Sequence, residues 1–91
     1  MYNLKTQNKM KTRVTIQVIE NCGIKQEQSQ LFDHFADAMD ALKFYVKKHG
    51  AQFNQEKRCW DKSICCGDGI RFIIDGDLRQ IFKANEFINE N

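Results

Sequence analysis

Proline is missing from this 91-residue chain, and glycine occurs only five times. Turns must therefore rest on those few glycines together with Asn and Asp. No apolar run approaches the ~20 residues that a membrane-spanning helix needs. The opening residues, MYNLKTQNKMKTR, contain no apolar core of a secretory signal. A cytoplasmic location with reduced cysteines is the expectation. No tract repeats or has low complexity. Neither sign of charge dominates, since 14 basic and 12 acidic residues leave a net +2. A dedicated nucleic-acid binder with a basic stripe is disfavoured by that balance.

The chemistry-bearing patterns are sparse as well. Cys59, Cys65 and Cys66 are spaced C-x5-C-C, whereas zinc sites pair thiolates at spacings such as C-x2-4-C. Adjacent cysteines on a strand point to opposite faces, so Cys65 and Cys66 are not expected to converge. Cys22 is distant in sequence, and His34 and His49 flank a helix. The cysteines read as free thiols or small buried hydrophobes, with no metal and no cofactor expected. Gly67-Asp68-Gly69 does not complete G-x-G-x-x-G, and Asp75-Gly76-Asp77 lacks the alternating ligands of a calcium loop. No nucleophile, base and orienting group are tied together by a local signature, so no enzyme is expected.

What is present reads as one soluble globular domain. The chain is 42% hydrophobic and 29% charged, and a chain this long buries one modest core. Residues 1–11 form a basic arm expected to be flexible, after which 12–91 make a single α+β domain. The arm holds Lys5, Lys9, Lys11 and, just past it, Arg13. Met10 is an alternative start to Met1. From Thr12 to Glu20, Val14, Ile16 and Val18 alternate with Arg13, Thr15 and Gln17, as in a half-buried strand. Asn21-Cys22-Gly23 supplies a turn. Ile24 to Phe32 is a polar strand suited to a sheet edge, and pairing of two copies near Gln26–Gln30 would make a homodimer rather than a monomer.

Asp33 is the expected N-cap of a helix over Phe35–His49, with Gly50 as its stop. Phe35, Ala38, Met39, Leu42, Tyr45 and Val46 fall on one face. Three strands should follow: Arg58 to Cys66, Ile70 to Ile74, and Leu78 to Lys83. Gly67-Asp68-Gly69 and Asp75-Gly76-Asp77 look like the hairpin turns between them. The last strand should end in a short helical tail, although LRQIFKANEFI also fits a helix with Leu78, Ile81, Phe82, Asn85 and Ile88 aligned. The expected order is ββαβββ: a small antiparallel sheet with one amphipathic helix on one face.

One residue breaks the helix pattern. Phe44 lies about 180° from the apolar stripe at ~100° per residue, among Asp37, Asp40 and Lys48. An aromatic ring ringed by charges is how a protein interface often looks. The alternative is that the tail around Phe87 and Ile88 folds over it as a second layer. Trp60, in the mostly basic run that follows, joins Phe44, Lys48, Asp37 and Asp40 as an expected contact. A nucleic-acid accessory role is the other reading, with Lys5, Lys9, Lys11 and Arg13 on phosphates and the two rings stacking on bases.

In size, single-domain economy and want of a catalytic constellation, the chain is similar in kind to small proteins encoded by phages and mobile elements. Many of those bind and block a larger host complex, anti-CRISPR proteins among them. No residue motif carries this likeness. It implies a non-enzymatic protein-binding inhibitor.

Overall fold

The structure, a computed structural model, describes residues 11–90. Lys5 and Lys9, and the flexibility expected of the arm, lie outside the described residues. The elements run β1 (Thr12–Glu20), β2 (Gly23–Phe32), α1 (Phe35–His49), β3 (Gln52–Asn54), β4 (Cys59–Cys65), β5 (Asp68–Ile74) and α2 (Leu78–Asn89). The strands form one antiparallel sheet in the order β2-β1-β5-β4-β3. The class is α+β, as the pattern predicts. No helix among the described residues is long and apolar enough to cross a membrane.

The connection explains the length of α1. The chain leaves β2 at one edge and resumes in β3 at the other. Five strands place the outer two roughly 19 Å apart at the usual strand spacing. A helix of 15 residues spans roughly 22 Å, enough to cross the sheet in one step. Gly50 ends it in a left-handed conformation at φ 69°, which glycine adopts without a Cβ clash. The polar β2, exposed along almost its whole length, is an edge strand as expected.

Both helices cover the same sheet face. Val14, Trp60, Phe72 and Ile74 point into it and meet Ala38, Met39, Leu42 and Val46 of α1 and Ile81, Ala84 and Ile88 of α2. Fully burying each large side chain is worth about 1.5–3 kcal/mol. The opposite face bears neither helix and mixes Ile19, Leu31 and Ile73 with polar side chains. Cross-strand register aligns Glu27, Gln17, Arg71 and Asp61 on it. The Gln17 amide donates to Glu27 at 2.9 Å, and Arg71 donates to Gln17 at 3.3 Å.

Four expectations are corrected. Leu78–Lys83 is not a strand but the start of α2, and Asp75-Gly76-Asp77 is not a hairpin turn. Asp77 caps the helix: its carboxylate accepts from Gln80 N–H at 2.9 Å, and the Gln80 side chain accepts from Asp77 N–H at 3.0 Å. That reciprocal box satisfies two donors that a strand would have left to the sheet. A short strand, Gln52–Asn54, lies in what reads as a polar connection. Three residues with one apolar side chain, Phe53, are too few to show a period. His34, not Asp33, is the N-cap of α1, and it makes no side-chain cap hydrogen bond. The Asp33 carboxylate instead faces Lys11, 3.6 Å from its Nζ. The turn joining β4 to β5 is formed by Cys66 and Gly67, with Asp68 and Gly69 already in the strand.

Candidate binding face

Phe44 projects from the outer side of α1 and is 60% exposed. The second helix does not cover it. α2 packs on the other flank of α1, where the Lys43 ammonium sits 4.7 Å from the Phe87 ring and donates to the Glu90 carbonyl at 3.2 Å. Asp37, Asp40 and Lys48 are all exposed on the helix alongside Phe44. The Lys48 ammonium stands over the Phe44 ring at 5.7 Å, within the ≈ 6 Å range of a cation–π contact.

The ring is anchored from below. Tyr45 meets Phe44 edge-on, with centroids 5.6 Å apart, and itself stacks on Phe72 at 6.0 Å with an interplanar angle of 7°. Phe72 is fully buried. A short aromatic series thus runs from the core to the surface and ends at Phe44. Such edge and offset pairs are the favoured geometries and add about 0.5–1.5 kcal/mol each. Beside Tyr45, between α1 and the first hairpin, lies a cleft of about 230 Å³ lined by Val14, Ile16, Gln28, Ser29, Gln30 and Tyr45. Sequence reasoning missed this cleft because its lining comes from three elements, and only the fold places the polar side of β2 opposite Tyr45.

Trp60 is not part of this surface. It is 1% exposed and lies on the helix-covered side of β4, where its indole Nε1 donates to Asn85 Oδ1 of α2 at 3.2 Å. It is core, and the expectation that it serves as a contact is corrected. Of the basic set, Lys11 faces Asp33 and Arg13 is exposed on the bare side of β1. They do not join Phe44 in one patch.

Among the described residues the two histidines and the buried cysteine stand apart. His34 and His49 bound α1, roughly 22 Å apart along a helix of this length. Burial pushes the Cys59 thiol up, and the Asp61 carboxylate adds to that against the opposing pull of Arg71 and Lys57. It stays protonated at neutral pH, unsuited to nucleophilic attack. Among the described residues, no group of three or more His, Cys, Asp or Glu side chains is placed to hold a metal ion. The cysteines do differ from the sequence reading in one respect. Cys65 and Cys66 converge, with their Sγ atoms 3.0 Å apart, because Cys66 has left the strand for the turn at φ 47°. No family model, curated protein or solved structure matches this chain, so its function is argued from its own residues.

Proposed function

We propose that this chain is a non-enzymatic protein-binding module that docks on a larger partner through the outer face of α1, with Phe44 as the anchor. One observation carries the reading: a phenyl ring exposed on a charged helix face, with its edge contact to Tyr45, which in turn stacks on Phe72. Leaving it 60% exposed forgoes more than half of the ~1.5–3 kcal/mol that full burial of a Phe yields, and docking recovers it. The edge contact with Tyr45 limits the side-chain entropy lost on binding. Asp37, Asp40 and Lys48 form the polar rim, which fixes orientation and speeds encounter more than it adds affinity. Two carboxylates beside the anchor suit a protein surface better than a phosphate backbone. With no reaction of its own, such a module acts by occupancy, as a phage-type inhibitor blocks a site on a host complex.

The test is a tagged pull-down from bacterial lysate with three chains: wild type, Phe44→Asp, and a version lacking residues 1–11. Each is split into nuclease-treated and untreated halves. A stoichiometric protein held by wild type and by the shortened chain, resistant to nuclease and lost with Phe44→Asp, is the expected outcome. Retention by a folded Phe44→Asp would sink the reading. Recovery that disappears with nuclease or with the arm would move the function to nucleic acid.

A further inference from the structure

The end of the sheet away from the α1 N-terminus gathers three of the four cysteines. The β1–β2 turn places Asn21 and Cys22 at φ 54° and 68°, and the β4–β5 turn places Cys66 and Gly67 at φ 47° and 90°. Both are two-residue turns with positive φ at each centre, the type that matches strand twist. Asn and Gly are the usual occupants, so each turn spends one strained position on a cysteine. The turns are tied together. Cys22 N–H donates to the Gly67 carbonyl at 2.9 Å, and Asn21 N–H donates to the Asp68 carboxylate at 3.0 Å. A Cβ on Gly67 would lie 2.7 Å from Cys22 Sγ, so the Cys22 sulfur rests directly on that turn. Cys22, Cys65 and Cys66 are all exposed, and Cys59 is buried.

Within this cluster Cys65 and Cys66 are already close. Their sulfurs are 3.0 Å apart, against about 2.05 Å in a covalent bond, and because neighbouring Cα atoms lie only about 3.8 Å apart, closing the eight-membered ring also twists the Cys65–Cys66 peptide. The second thiol is the nearest group to resolve anything bound to the first. The Cys65 thiol donates to Cys66 Sγ, and that hydrogen bond, more than its slight burial, holds the Cys65 proton more tightly than usual. Cys66, exposed in the turn at φ 47°, is the sulfur placed to attack.

We propose that Cys65 and Cys66 form a redox dithiol that a small-molecule disulfide of the glutathione class oxidises to an intramolecular bond between these neighbours. The Cys66 thiolate attacks one sulfur of the oxidant, forming a mixed disulfide and expelling one thiolate, which takes up the proton lost by Cys66. Cys65 then gives up its proton and attacks Cys66 Sγ. The Cys65–Cys66 bond forms as the second small thiolate leaves with that proton. The two protein thiols lose two electrons and two protons, and the oxidant's disulfide becomes two thiols. The site lies on the β4–β5 turn, apart from Phe44, and does not depend on the docking role of α1.

The tryptic map of this chain suits the test, because Cys22 falls in 14–25, Cys59 in 59–62, and Cys65 with Cys66 in 63–71. The full chain is incubated with oxidised glutathione, blocked with a maleimide, digested and weighed. The expected result is that 63–71 loses two hydrogens and takes neither maleimide nor glutathione, and that a dithiol reductant reverses this. Cys22→Ser should behave identically. Cys65→Ser should accumulate one glutathione on Cys66, since its resolving thiol is gone. Stable glutathione on 63–71 of the wild type, a cross-link between 14–25 and 63–71, or full maleimide labelling of both cysteines would each overturn the proposal, as would an unmodified Cys66 in Cys65→Ser.

Discussion

The outer face of α1 and the seam between β4 and α2 each hold a large aromatic ring. Phe44 is 60% exposed and Trp60 is 1% exposed. The indole N–H of Trp60 has found Asn85, as a buried polar atom must. Phe44 has no polar atom to satisfy, and its neighbours are a tyrosine edge and a lysine ammonium. Trp60 is therefore explained fully by folding, whereas Phe44 adds little to it. That contrast separates a ring the fold needs from a ring it merely tolerates, and it makes Phe44 the better guide to function.

The comparison breaks most easily at Trp60. Trp60→Ala should cost about 3–5 kcal/mol through lost burial and the cavity left behind, and it strands Asn85. For a domain whose whole stability is about 5–15 kcal/mol, urea unfolding should show a collapsed midpoint. An unchanged midpoint would put Trp60 at the surface after all. Phe44→Asp should do the reverse. Its thermal midpoint should fall by roughly 4–8 °C, the ~1 kcal/mol of the lost Tyr45 edge contact and far less than for Trp60→Ala, while affinity for the captured partner falls by roughly 30-fold or more, the ~2 kcal/mol expected of a hot-spot ring. If it melts as Trp60→Ala does, Phe44 belongs to the core and the docking face is lost.

Why one ring was legible and the other was not follows from the elements that carry them. On α1 the angular position of Phe44 is set by its own helix, so fifteen residues suffice to place it outward. On β4 alternation gives two faces but does not say which one the helices cover. That is decided by where α1 and α2 land, far away in the sequence. The same ignorance hid the cysteine cluster, since only the pairing of β1 with β5 brings the Cys22 turn to the Cys66 turn. Asp75-Gly76-Asp77 misled for a local reason: Asp-Gly before an apolar run signals a hairpin, but Asp77 with Gln80 three residues on is also a capping box. The polar run around Phe53 was silent because β3 is so short.

That box offers a smaller test on the same seam. Asp77→Ala removes the acceptor for Gln80 N–H and should cost about 1 kcal/mol, a fall of roughly 4–8 °C in Tm for a domain of this size. His34→Ala, at the start of α1, removes a residue whose side chain makes no cap bond and should fall by clearly less. Equal losses would mean that the hydrogen bonds of the box do not hold α2 against Trp60.

The smallest effect concerns the residue beside Trp60. Cys59 points to the other side of β4, and yet it too is buried, so this strand is shielded on both faces where it starts. Asn54 stands opposite Cys59 on β3, and burial together with Asp61 raises its thiol pKa in the folded chain. The native state then holds this proton more tightly than the unfolded chain, whose thiol titrates near ~8.5. Its stabilising contribution is complete below that pH and is lost as pH rises through the higher native value. Between neutrality and mildly alkaline pH, wild type should lose more stability in urea than Cys59→Ala does. Parallel loss in the two proteins would show that Cys59 is open to solvent, and that the shielding at this point of β4 is on the Trp60 side alone.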